Sequence, residues 1–166
     1  MKKLKIWQLA ILLVTVVGVT VGFALLLVFT SGPGKISLTD DFLCKDEYCN
    51  FYNIEPEEYN ELVAKKDSFV IFIDQGGCRT ASTLRDIVSE YMDEHKVIFA
   101  KMSFSDMKET NLSENIKYYP SVAVISRGEL AAFLHADSDD DADSFSDYEE
   151  FSRWIEQYLL VENSTK

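Results

Sequence analysis

Three cysteines are the side chains in this chain best equipped for chemistry, and their neighbours differ sharply. Cys78 follows Gly76-Gly77 and precedes Arg79. An apolar run, Phe69-Val-Ile-Phe-Ile73, ends just before it, and a helical apolar pattern starts just after it. A thiol at a helix N-terminus faces backbone N–H groups that no carbonyl satisfies, and the helix dipole favours its thiolate. Arg79 adds a positive charge, and the two glycines leave the sulfur uncrowded. Those features suit a nucleophile that attacks disulfides. The competing reading is a small apolar residue that packs and does nothing else.

Cys44 and Cys49 enclose four residues in a short polar segment. If the segment lies outside the cytoplasm, the simplest outcome is a disulfide clip, because short loops close at low entropic cost. The rival outcome is that Cys44 or Cys49 folds over and resolves a disulfide made at Cys78. Zinc ligation is disfavoured, because His95 and His135 lack ligand spacing. No phosphate loop or haem motif is present, so no cofactor is called for. Asp139, Asp141, Asp143, Asp147 and Glu150 fall at positions 1, 3, 5, 9 and 12 of a calcium-loop template. Its sixth position, normally glycine, is Ser144, so the acids read more simply as solvated loop residues beside a helix start.

The elements that must position these residues alternate. Pro56 opens a helix carrying Tyr59, Leu62 and Val63 on one face. The run Phe69–Ile73 has the uninterrupted apolar character of a strand buried on both faces. Leu84, Ile87, Val88, Tyr91 and Met92 recur at helical spacing. Val97–Met102 reads as a second buried strand, Asn111–Tyr118 as a short helix stopped by Pro120, and Val122–Ile125 as a third strand. Arg127-Gly128 turns that strand into a hairpin partner, Leu130–Leu134. A final helix over Asp147–Leu160 is expected to open on the capping box Ser146-x-x-Glu149. The order implies an α/β fold, a mixed sheet with helices on both faces.

A cysteine where the first strand meets the long helix, in FVIFID and QGGCRTASTLRDI, followed by VIFAKMSF and YYPSVAVISRGEL, resembles the thioredoxin superfamily over residues 54–160. Within it the chain looks most like the bacteriocin transport accessory group. The resemblance implies thiol–disulfide exchange with protein or peptide clients. It also implies a cis Tyr119-Pro120 bond facing Cys78, and a client groove shaped by Gly77, Arg79, Tyr119 and Pro120. The chain departs from the family at telling places. The Cys-x-x-Cys motif reads Cys78-Arg79-Thr80-Ala81, the usual aromatic before the first cysteine is Gly77, and the usual buried acid falls near Phe72. Without a second thiol the motif cannot release its own mixed disulfide. Two functions follow: monothiol exchange or capture through Cys78, or a redox-inactive binding module using the same groove.

Charge and hydropathy place these parts. The formal net charge is −12. Residues 1–35 hold Lys2, Lys3, Lys5 and Lys35 and no acid, which leaves −16 for the remainder. A domain so acidic repels phosphate backbones, which argues against nucleic acid as a partner. From Leu9 to Phe29 no residue is charged, enough to span about 30 Å of bilayer as a helix. The lysines before it predict a cytoplasmic N-terminus and an extracytoplasmic body. A cleaved signal peptide fits less well, because its apolar region is shorter and Phe29-Thr30-Ser31-Gly32-Pro33-Gly34 is a poor cleavage site. The expected organisation is a tip and single transmembrane helix over 1–30, a linker and cysteine segment over 31–53, and the α/β domain over 54–166.

Overall fold

A computed structural model describes residues 34–160 except Cys78. The expected membrane span lies outside them. Among the described residues no helix is long and apolar enough to cross a membrane.

The centre of the fold is a five-stranded sheet in the order β1-β3-β2-β4-β5. The strands are β1 (Tyr52–Asn53), β2 (Phe69–Asp74), β3 (Ala100–Ser103), β4 (Ser121–Ser126) and β5 (Glu129–Phe133). β2 is central, parallel to β3 on one side and antiparallel to β4 on the other. That position explains its composition. A strand paired on both edges with both of its faces covered has no wet side, and all six residues of FVIFID are buried.

Four helices accompany the sheet: α1 (Pro56–Lys65), α2 (Arg79–His95), α3 (Phe104–Met107) and α4 (Tyr148–Ile155). Pro56 stands at the start of α1, where its missing N–H costs no hydrogen bond. Lys66 ends the helix in the left-handed region, φ 61°, returning its N–H to Leu62 and Val63 carbonyls. The long helix α2 buries Leu84, Ile87, Val88, Tyr91 and Met92, the face expected from their spacing. At the β4–β5 turn Gly128 has φ 78°, and a Cβ there would come within 2.4 Å of the Val63 carbonyl oxygen. Only glycine fits that approach.

Several expectations change. Residues 35–53 are part of the folded body, which begins at Lys35. Ile36, Leu38 and Phe42 are buried, and Phe42 stacks on Phe69 with ring centroids 5.2 Å apart. Tyr52 and Asn53 add β1 to the edge of β3. Short segments hide such roles, because two or three apolar residues show no periodicity. The second strand is Ala100–Ser103, and Val97 makes only an isolated bridge to Leu43. α3 has no periodic apolar trace in the sequence, although Ser103 caps it by accepting from the Asp106 N–H. Asn111–Glu114 is a 3₁₀ turn. α4 is capped by Asp147, which accepts from the Glu150 N–H, one residue past the expected box. It ends at Ile155, after which Leu160 N–H reaches the Ile36 carbonyl.

Candidate functional site

β2 ends at Asp74, and Gln75-Gly76-Gly77 turns the chain toward α2. Gly77 has φ 90°, which glycine adopts without strain. Cys78 lies outside the described residues, so the site is defined by its neighbours. Arg79 and Thr80 are exposed in the first turn of α2, whereas Ala81 is 1% exposed. The position where a resolving thiol would stand is thus filled by a methyl group turned into the core.

Tyr119-Pro120 is a cis peptide bond immediately before β4. Pro120 is buried and Tyr119 half-exposed, its ring 4.9 Å from that of Phe104. Thr80, Tyr119 and Pro120 line one groove of about 400 Å³, together with Ala136, Asp137, Ser138, Asp139, Ala142 and Phe145. Of the expected groove residues, then, Tyr119 and Pro120 line it, and Gly77 and Arg79 do not. A larger depression of about 690 Å³ runs between β5 and α4, but it includes none of these residues of the α2 start or the cis-proline turn.

Beneath the turn is a charge cluster that the sequence reading missed. Asp74 is 4% exposed. It accepts a hydrogen bond from Arg85 of α2, and Lys101 Nζ of β3 lies 3.6 Å from its Oδ2. Lys101 also sits 5.7 Å from the Phe51 ring centroid. One carboxylate therefore ties the end of β2 to α2 and β3, next to the turn that delivers residue 78. The position near Phe72 is apolar as read, and the buried acid of this strand is Asp74, at its end. Its visible signal was a lone acid closing an apolar strand.

Cys44 and Cys49 form a disulfide with an S–S distance of 2.10 Å. It lies at the far end of α2: Cys44 N–H donates to the Lys96 carbonyl and Cys49 N–H to Asp93. Lys96 Nζ closes the loop on the Glu47 carbonyl at 2.7 Å. α2 runs from Arg79 to His95, about 24 Å at 1.5 Å per residue. The pair is accordingly tied down a helix length from the residue that follows Cys78.

The calcium template does not assemble either. Asp141 accepts from the His135 N–H at 2.8 Å, Asp147 caps α4, and Glu150 engages Arg153. Among the described residues no group of His, Cys, Asp and Glu is arranged to hold a metal ion.

The fold has solved counterparts. Oxidised thioredoxin from Plasmodium falciparum aligns with a TM-score of 0.50 and 13% identity, covering 67% of this chain and 100% of its own. Thioredoxin f from spinach chloroplast aligns with a TM-score of 0.50 and 12% identity, covering 68% of this chain and 96% of its own. At such identity the likeness shows the fold alone, and that fold is thioredoxin-like. No protein-family model matches the chain, and no curated protein sequence matches it.

Proposed function

We propose that this chain is a membrane-anchored, extracytoplasmic thioredoxin-like protein that exchanges or captures thiols through Cys78. The observation that carries the reading is the groove at the start of α2. There the cis Tyr119-Pro120 turn faces Thr80, two residues past Cys78, on a thioredoxin-like frame. An extended client lying along Tyr119 would bring its disulfide to the residue before Arg79. The Cys78 thiolate attacks one client sulfur, a new S–S bond forms, and the other client sulfur leaves as a thiolate. An external thiolate then attacks the client sulfur of the mixed disulfide: a new S–S bond forms between that thiol and the client, which departs as their mixed disulfide, and Cys78 leaves as the free thiolate. That last step must come from outside, because Ala81 carries no sulfur and the Cys44–Cys49 pair is held at the other end of α2. Membership in the bacteriocin transport accessory group belongs to the same proposal. So does the topology: one N-terminal span, cytoplasmic tip, body outside.

The second reading, a redox-inactive module that holds a peptide in the same groove, is favoured by buried Ala81. The two separate on one measurement. Full-length protein is treated with glutathione disulfide, and the intact mass and the rate of glutathione release by dithiothreitol are followed. Addition of one glutathione at Cys78, faster than to a free cysteine peptide at neutral pH and absent in Cys78→Ser, is the expected result. A Cys78 no more reactive than the free peptide leaves the binding module.

A further inference from the structure

The groove at Tyr119-Pro120 has one unusual wall. Between β5 and α4 the chain passes through Ala136–Asp147, which holds a seven-residue 3₁₀ helix, Asp139–Phe145. Ser138 caps that helix by accepting from the Asp140 N–H, and buried Ser144 and Phe145 anchor its end. The segment is thus a built wall carrying carboxylates outward. Local structure uses two of those acids: Asp141 binds the His135 N–H and Asp147 caps α4. Asp137 and Asp139 are different. Both are exposed and both line the groove, and the ion pairs among the described residues involve other acids. Among the described residues no lysine, arginine or histidine lines the groove beside them. The rest of the lining is apolar or small: Tyr119, Pro120, Ala136, Ala142 and Phe145, with Thr80 and Ser138.

We infer that this groove selects extended peptide segments carrying lysine or arginine, with the basic side chain against Asp137 and Asp139 and an apolar neighbour against Pro120 and Phe145. The inference rests on the proposed reading of the groove as the client site, and it adds the class of client. Charge complementarity commits it to a basic occupant. The net charge of −16 on residues 36–166 works in the same direction at longer range, attracting basic segments and turning away acidic ones.

The test uses full-length protein in neutral detergent and two fluorescein-labelled octapeptides with serine in place of cysteine. Their apolar centres are identical, flanked by two lysines in one and two glutamates in the other. Anisotropy titrations should show the lysine peptide binding roughly tenfold tighter at about 20 mM salt, and less than about twofold tighter at about 0.5 M, where the Debye length is short. D137N/D139N should lose about fivefold in affinity for the lysine peptide, as expected for two partly solvated ion pairs. E57Q/E90Q removes the same charge from exposed residues outside the groove and should lose less than about twofold. Equal affinities for the two peptides overturn the inference, and so do equal losses in the two variants, which would reduce the effect to overall acidity. A second arm uses cysteine peptides blocked as thionitrobenzoate disulfides, where attack by Cys78 releases the coloured thiolate. Charge-selective binding without release leaves the inference standing and removes the thiol chemistry. Release without charge selectivity does the reverse.

Discussion

Replacing Asp74 should loosen the corner on which the site is built, and the size of the effect follows from who keeps water. The carboxylate is 4% exposed, whereas the side chains of Arg85 and Lys101 are 38% and 29% exposed. Removing one member of a fully buried pair costs about 3–5 kcal/mol, because the survivor is left charged and dry. Here the surviving cations retain about a third of their surface in solvent, so Asp74→Ala should cost less, about 2 kcal/mol, within the range for a charged hydrogen bond. Asp74→Asn keeps the shape and an acceptor for Arg85 and should cost about 1 kcal/mol. Arg85→Met should also cost about 1 kcal/mol, since Lys101 still faces the acid. The double variant should cost about 1 kcal/mol less than the sum of its singles, the signature of direct coupling. Urea unfolding can be followed on Trp154 fluorescence, with Trp7 replaced by Phe in every variant so that one tryptophan reports. An Asp74→Ala variant within about 0.5 kcal/mol of its parent, or costs that add within about 0.3 kcal/mol, would refute the claim that this acid ties three elements together.

Ala81→Cys should create a self-resolving site: residues 78 and 81 share a helical spacing, and an intramolecular thiol acts at an effective concentration on the order of millimolar. With about 10 µM external thiol, client release should then speed up about a hundredfold in an insulin reduction or mixed-disulfide assay. Cys44→Ser/Cys49→Ser should cost about 2 kcal/mol in urea unfolding, the loop-entropy value for so short a ring, and leave the reaction of Cys78 with glutathione disulfide unchanged. Burial pushes the Tyr59 hydroxyl up to about 12 and raises that of Tyr91 further. The folded state therefore favours neutral tyrosine while the unfolded chain ionises near its ordinary value of 10.0, so the stability these tyrosines contribute is full below that pH and lost between it and about 12. The buried Tyr91 hydroxyl has no protein hydrogen-bond partner, so Tyr91→Phe should change stability at neutral pH by no more than about 0.5 kcal/mol and lessen the alkaline loss.

What was legible in the sequence followed the physics that leaves long traces. β2 announced itself because a central strand has two dry faces, and α2 because five apolar residues repeat at helical spacing. The hairpin was visible because Arg127-Gly128 must pass φ values of 51° and 78°. The trace fails for roles filled by one or two residues. Phe42 enters the core from a 3₁₀ turn of three residues, and β1 is two residues paired to a strand some fifty positions later. The start of α4 lies one residue past the Ser146 box, because Ser146 and Asp147 are both good caps and only the backbone decides between them. At the site, the cysteine, the proline and the missing second thiol were all legible as residue types. The Asp74 cluster and the acidic wall were not, because both depend on which side chains three separate elements bring face to face.

The margins of the sheet bear on how many copies of this chain can crowd together without sticking. One margin, β1, offers only two residues to a would-be extra strand. On the other margin, β4 pairs Val124 with Ala132 and Ile125 with Leu130, so Ala131 is left over as a bulge that breaks the straight row of amides and carbonyls. Strand-by-strand growth into fibrous aggregates needs a long, flat, unpaired border, and neither side supplies one. Crowding should therefore leave the copies dispersed, with the acidic surfaces adding mutual repulsion to a sheet that ends where it stops being useful.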